Sequence, residues 1–327
     1  MRFGIIGAGR LGTALARALA GVGHQPVFLL GRDLRRARRA REAAGVDCDV
    51  YSAASLGDLP QVDLLFITTP DDALAETASR LAAAEGERRG PLPKRLAGGR
   101  RGVALHTSGA LTSEELAPLR ERGYAIGSLH PLVAVSDVAQ GAVSLRYAFY
   151  CVEGEARAVR AARGVVSDLG RDFGAQSFTV PAEKKALYHA AAVMCAGHTV
   201  ALFDAAASLL AACGLKPREA QRVLLPLLSS AVSNLSPRGH KGAQPEPSEA
   251  LTGSFARADV GTVRKHLAAL EEAGDPEALE IYRLLGRRSL RLAAERGADA
   301  EVLAEIARAL GGERPRGARR GARQRPA

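Results

Sequence analysis

The chain has 327 residues, 47% of them hydrophobic, with a net charge of +10. That is enough apolar material for two cores, while 4% aromatic content and no Trp leave little on which nucleic-acid bases would stack. Four cysteines (Cys48, Cys151, Cys195, Cys213) stand far apart without a Cys-x-x-Cys pair, so neither a metal site nor a disulfide framework is expected, and a reducing cytoplasm fits best. Much of the positive charge lies at the end: residues 313–327 hold six Arg and one Glu, have no apolar periodicity, and are expected to be a disordered tail. A second basic stretch, 86–101, reads as a surface insertion. Specific nucleic-acid binding is not expected. No apolar run reads as a membrane span, and "MRFGIIGAGR" starts directly as strand and turn, leaving no room for a leader.

In chain order, "RFGII" (2–6) predicts a strand, "GAGRLG" a turn and "TALARALAGVG" an amphipathic helix. "PVFLL" (26–30) is the next strand, followed by a helix whose Leu34, Ala37, Ala40 and Ala44 form an apolar stripe. "VDLLFIT" (62–68) is a continuous apolar run of the kind buried on both faces of a parallel sheet. A helix follows with Asp71 or Asp72 as N-cap. "GVALHTSG" is strand and turn, "TSEELAPLRERG" a helix capped by Thr112 or Ser113, and "YAIGSLHPL" a strand. Residues 146–154 are strand, "EARAVRAARGVVSDLG" helix and "AQSFTV" strand. This alternation predicts a doubly wound, parallel-type α/β sheet. From Pro181 the pattern turns wholly helical, opening with one long Ala-rich helix that closes at Gly214, and a Pro/Gly-rich loop spans 236–249. The expected division is a dinucleotide-binding domain over 1–180, an all-α domain over 181–311, and a basic tail over 312–327.

Gly7, Gly9 and Gly12 sit after a strand and open a helix, which is the context a dinucleotide fingerprint requires. Gly7 permits the turn, Gly9 lets backbone approach a pyrophosphate, and Gly12 brings helix and strand together. The N–H groups of this segment, through Ala8, Arg10 and Leu11, then face the phosphates at the positive end of the helix. NAD-binding chains place an acid at the end of the second strand. Here that place is Gly31, followed by Arg32 in "GRDLRRARRAR" (31–41). A small residue and then a guanidinium suit a 2′-phosphate, worth about 1.5–3 kcal/mol and roughly 10- to 150-fold in preference. Asp33 is assigned as the N-cap of the next helix, and Arg38, Arg39 and Arg41 as solvated face. NADP(H) is the expected cofactor.

"GIIGAGRLGTAL", "HTSGAL", "GSLHPLVAV", "KKALYHAAAV" and "ALTGSFARADVGTVRKHLAAL", in that order, resemble the Rossmann-like proteins that carry the domain of unknown function 2520. These belong to the 6-phosphogluconate-dehydrogenase-like and ketopantoate-reductase-like superfamily, and the resemblance covers residues 1 to about 310. It implies an NADP-dependent oxidoreductase with a helical C-terminal domain, and a homodimer formed through that domain. It also implies a Lys near the start of the long helix as proton donor. Lys185 fills that place, and His189, one turn on, shares its face and would orient it or the substrate. Relatives in the superfamily often have Asn where this chain has His189. Thr68, Thr69 and Pro70 resemble the segment beside the nicotinamide ribose.

"HTSG" ends a strand at the carboxyl edge of the sheet, where such folds bind ligands. His106, Thr107 and Ser108 are therefore expected to face the nicotinamide or the substrate, and Ser128 and His130 end a second strand there. In "LTGSFARAD", Thr252, Gly253 and Arg257 are expected to take a substrate carboxylate, with Asp259 the N-cap of the next helix. The family has Gly-Pro and Arg-Gly-Asp in this loop; this chain has Gly253-Ser254 and Arg257-Ala258-Asp259. The resulting expectation is an NADPH-dependent reductase of a small carbonyl or imine carboxylate, a 2-oxo acid such as ketopantoate first, with no metal, nucleic-acid or membrane partner. The rival readings are a non-catalytic dinucleotide sensor that binds a partner, and a deazaflavin-dependent NADP oxidoreductase.

Overall fold

The computed structural model describes residues 1–89, 101–236 and 244–311; the basic tail and most of the 86–101 stretch lie outside them. The chain divides into two compact units, Met1–Ala196 and Gly197–Ala327. The first holds β1 (Arg2–Ile6), α1 (Arg10–Gly21), β2 (Gln25–Gly31), α2 (Leu34–Ala44), β3 (Asp49–Ser52), β4 (Leu64–Ile67) and α3 (Asp71–Arg89). It continues through β5 (Val103–His106), α4 (Ala117–Arg120), β6 (Ala125–Pro131), α5 (Val138–Leu145), β7 (Phe149–Gly154), α6 (Ala156–Gly170), β8 (Gln176–Phe178) and α7 (Lys185–Cys195). Its eight strands form one sheet in the order β3-β2-β1-β4-β5-β6-β7-β8. All neighbours run parallel except β6 and β7, which are antiparallel. The expected parallel-type sheet is present with this one reversal, and the short strand β3 and the helix α5 add to the elements expected from sequence.

Side-chain alternation along the strands explains why helices cover both faces. Phe3, Ile5, Leu64, Phe66, Val103 and Leu105 point into one core with α1, α5 and α6. Ile6, Leu65, Ile67 and Ala104 point into the other, with Leu74, Ala78 and Leu81 of α3 and Leu119 of α4. In α2 the stripe is Ala37, Ala40 and Ala44; Leu34, expected to join it, is 42% exposed in the first turn. Asp33 caps α2 as expected, its carboxylate accepting the Arg36 N–H at 2.9 Å. Asp71 and Asp72 lie within the first turn of α3 rather than at its cap, where their charge still favours the helix dipole. Ser113 starts a short 3-10 turn that leads into α4, with Thr112 before it.

The second unit holds α8 (Gly197–Ala212), α9 (Pro217–Ser233), α10 (Pro247–Ala250), α11 (Gly253–Ala256), α12 (Val260–Glu272), α13 (Pro276–Glu295) and α14 (Ala300–Ala309). Val263, Leu267, Leu290, Leu303, Ile306 and Leu310 make its core. The expected single long helix is interrupted at Ala196, whose right-handed backbone (φ −105°, ψ −72°) is distorted from regular α-helix just before Gly197. Contrary to the expectation of no spanning-type run, Ala182–Ala212 is long and apolar enough to cross a membrane by length and composition. Alanine and leucine supply most of that apolarity, and Lys185, Gly197 and Asp204 interrupt it, so the stretch does not read as an unbroken apolar run.

Candidate functional site

The glycine turn joins β1 to α1 at the carboxyl edge of the sheet. Gly7 has φ +102°, and a Cβ there would meet the Thr68 and Thr69 backbone at 2.7 Å. A Cβ on Gly12 would meet Thr68 Oγ1 at 2.4 Å and the Gly7 carbonyl at 2.5 Å. Both glycines are therefore required by the protein's own packing, which Thr68 completes by donating its hydroxyl to the Gly7 carbonyl at 2.6 Å. Gly9 differs. Its nearest neighbour would be the Gly7 carbonyl at 4.0 Å, and its φ of −85° suits any residue. Nothing in the fold demands glycine there, so the space it leaves is room for something outside the chain. Gly9 caps α1 with no side-chain bond and no acid stands in the first turn, so the N–H groups of Arg10, Leu11 and Gly12 face outward at the positive helix end.

At the end of β2, Gly31 is crowded by the Ala37 backbone at 2.9 Å and Arg32 is exposed. A side chain at 31 would push α2 away; Arg32 has no acidic partner among the described residues. Thr69 Oγ1 is buried with no hydrogen-bond partner, a polar atom left open beside the turn. The turn, Arg32 and Thr69 together fit a phosphate-bearing dinucleotide.

Two strands along, Lys185 at the start of α7 is fully buried. Its ammonium donates to Ser128 Oγ at 2.5 Å and to the Ser108 carbonyl at 3.3 Å, with Glu153 Oε2 4.0 Å away. Burial lowers its pKa, opposed by the negative charge of Glu153. Glu153 in turn accepts the Ser113 N–H at 2.8 Å and its hydroxyl at 2.7 Å. His130 lies two residues beyond Ser128 on the same strand face. Its Nδ1 pairs with the Tyr188 hydroxyl at 2.7 Å, and its ring meets that of His189 edge-on at 5.3 Å. Burial, then the neighbouring His189 and Lys185, push the His130 pKa down to about 4, so its imidazole is neutral at pH 7. His189 Nδ1 is buried without a partner.

Two expected ligand-facing residues have other work. His106 Nδ1 accepts the Ser108 N–H at 3.1 Å and its Nε2–H donates to the Thr112 carbonyl at 3.0 Å. Both ring nitrogens are engaged by the protein's own backbone, and burial pushes its pKa down to about 3. His106 is thus a neutral staple of the loop after β5, not a reacting group. Ser108 Oγ likewise accepts the Ala110 and Leu111 N–H groups, so its oxygen holds the same turn. Gly109 completes the packing: a Cβ there would lie 2.3 Å from His189 Nδ1 and 2.8 Å from the His130 ring. Glu153, Ser113 and Tyr188 are the members that sequence reasoning passed over. A carboxylate inside the apolar strand "FYCVEG" was the available signal for the first.

Thr252, Gly253 and Arg257 lie in the second unit, around α11. Gly253 has φ +83°, and Ala258, where the family places glycine, has φ +52°, alone in that region among the described non-glycine residues. An L-residue there costs about 1–2 kcal/mol, partly offset by the roughly 0.5–1 kcal/mol of chain entropy that glycine loses. Ala258→Gly is therefore expected to raise the melting temperature slightly, by the equivalent of about 0.5 kcal/mol; a clear loss in thermal unfolding would contradict the strain. Asp259 caps α12 as expected, accepting from Thr262 N–H at 2.9 Å and from its hydroxyl at 2.7 Å.

Residues 1–131 match the profile described as a Rossmann-like domain, and residues 148–289 match the domain of unknown function DUF2520. The chain joins a Rossmann-like domain to a DUF2520 domain. His106 and His130 fall in the Rossmann-like part, while Glu153, Lys185, Tyr188 and His189 fall in the DUF2520 part, so the cluster draws on both. No curated protein matches the chain. Among solved structures, a candidate NADP oxidoreductase from Bacteroides fragilis is similar at 24% identity and TM-score 0.66, over 89% of this chain and 98% of that one. Protein TM1727 from Thermotoga maritima is similar at 21% and 0.62, over 91% and 100%. A 1-pyrroline-5-carboxylate reductase from Streptococcus pyogenes is similar at 16% and 0.56, over 90% and 98%. The fold is thus shared along nearly the whole length of these chains.

Proposed function

We propose that the protein is an NADP(H)-dependent reductase of a small carbonyl or imine compound that carries a carboxylate, with Lys185 as the proton donor. The observation that carries this reading is a glycine turn with one uncrowded glycine sharing a sheet edge with a buried lysine and two adjoining histidines. The N–H groups of Arg10, Leu11 and Gly12 would hold the pyrophosphate, Arg32 the 2′-phosphate, and Thr68, Thr69 and Pro70 would flank the nicotinamide ribose. The dinucleotide supplies hydride to the substrate's unsaturated carbon.

The chain's own residues manage the proton and the orientation. Lys185 Nζ holds the proton, and its lowered pKa makes it a better acid than a solvated lysine. Ser128 Oγ takes the hydrogen bond of that ammonium, and Glu153 keeps the charge compensated. His130, held neutral and fixed by Tyr188, orients the oxygen or nitrogen that receives the proton, with His189 beside it. Thr252, Gly253 and Arg257 of the second unit are the residues of that unit proposed to take a carboxylate. The Streptococcus relative is named for a cyclic imino acid, which supports trying that class beside 2-oxo acids such as ketopantoate. Monitoring NADPH consumption over a panel of both classes tests this. Turnover of at least one supports the reading, whereas NADPH binding without turnover of any would favour a dinucleotide sensor.

The partner expected is a second copy. Val200 is 70%, Leu225 56% and Leu227 67% exposed on α8 and α9, apolar side chains that association with a second copy would take out of water. Analytical ultracentrifugation is expected to give a dimer, converted to monomer by Leu225→Glu with Leu227→Glu; a monomeric parent protein would refute it. A reducing cytoplasm is the proposed setting.

A further inference from the structure

At the opposite, amino edge of the same sheet lies a cleft of about 660 Å³ between the strand starts and α6. It is lined by Arg2, Arg101, Arg157 and Arg160, with Asp63 as its acid. Arg101 is neutralised by Glu85, and Asp63 accepts the backbone N–H of Arg2 at 2.8 Å. Among the described residues, no carboxylate pairs with the guanidinium of Arg2, Arg157 or Arg160. Arg157 donates to the carbonyls of Arg101 and Gly102, which fix its position without cancelling its charge.

Two further features point to a ligand. Arg157 and Arg160 stand in the first two turns of α6, where the N-cap Glu155 is already paired with Arg120 at 2.7 Å and no acid stands in the first turn. Cations there oppose the helix dipole, which a bound anion would offset. On the same face, Gly164 sits inside the helix and lines the cleft, yet a Cβ on it would have nothing within 4 Å. Glycine in a helix interior costs about 1 kcal/mol relative to alanine, and no packing here demands it. It does keep the cleft open.

We infer that this cleft is a second binding site, for a small multivalent anion, either a polyphosphate or a polycarboxylate. Guanidinium forks suit both, binding their oxygens in pairs. It is separate from the dinucleotide turn, because β1 carries Arg2 at one end and leads into Gly7 at the other, roughly 16 Å apart at the rise of an extended strand. The site stands whether or not the protein is a reductase.

The test is isothermal titration calorimetry of the full chain with tripolyphosphate and, separately, citrate. The parent protein is compared with Arg160→Glu, Gly164→Leu and Arg32→Ala; the first two alter the cleft without touching the Arg157 bonds that support the fold. Binding of either anion is expected to weaken at least tenfold in Arg160→Glu and Gly164→Leu and to persist in Arg32→Ala. The tighter of the two anions identifies the class. No heat with either anion overturns the proposal, as does binding that is lost only in Arg32→Ala, which would place the ion at the glycine turn.

Discussion

Lys185→Ala is expected to lower NADPH-dependent turnover by about 10²–10⁴-fold, the range over which a positioned acid contributes, with NADPH affinity unchanged. The lysine is fully buried and its ammonium reaches Ser128 and Ser108, whereas the dinucleotide turn is built by Gly7, Gly12 and Thr68. Removing it leaves the Glu153 carboxylate without its cation. Breaking a fully buried pair costs about 3–5 kcal/mol, but Glu153 keeps some solvent contact and both Ser113 bonds, so a smaller loss is expected. Lys185→Met fills more of the space and separates the two effects. If its melting temperature recovers while turnover stays low, the loss is chemical. Near-normal turnover in either variant would remove Lys185 from the reaction.

The second large effect concerns Gly9. Gly9→Val should leave the melting temperature within about 1 kcal/mol of the parent, the usual cost of a poor N-cap, yet weaken dinucleotide binding at least a hundredfold. Its backbone accepts any residue and its neighbours leave the space free, so only a ligand lying against the turn is displaced. Gly12→Val is the contrast, because its side chain would collide with Thr68 Oγ1 and the Gly7 carbonyl and destabilise the fold itself. Equal nucleotide binding by Gly9→Val and the parent, measured by fluorescence, would show that nothing docks at this turn.

The elements most legible from sequence are those whose side chains face one environment. β1, β4 and β5 read as apolar runs because both faces are buried, and Asp33 and Asp259 read as caps because their roles are local. β3 is not legible because its four residues, one exposed and three half-buried, carry no alternation. The reversal at β7 was invisible because periodicity reports burial and not strand direction. At the candidate site, spacing along α7 put Lys185 and His189 one turn apart, but the partners of each are remote in sequence. Ser128 is 57 positions from Lys185, and Tyr188 is 58 from His130. For the same reason His106 and Ser108 looked ready for a ligand: the Thr112, Ala110 and Leu111 backbone groups that occupy them depend on how the loop folds back.

The most direct measurement is a fluorescence titration of the purified protein with NADPH and with NADH, repeated on Arg32→Ala. With Gly31 where NAD-binding chains place an acid and Arg32 exposed beside it, NADPH is expected to bind at least tenfold more tightly than NADH. Arg32→Ala is expected to remove that preference by weakening NADPH alone, as loss of one charge-assisted contact to phosphate requires. Equal affinity for the two nucleotides in the parent protein, or no binding of either, would contradict the reading of this chain as an NADP(H)-dependent reductase.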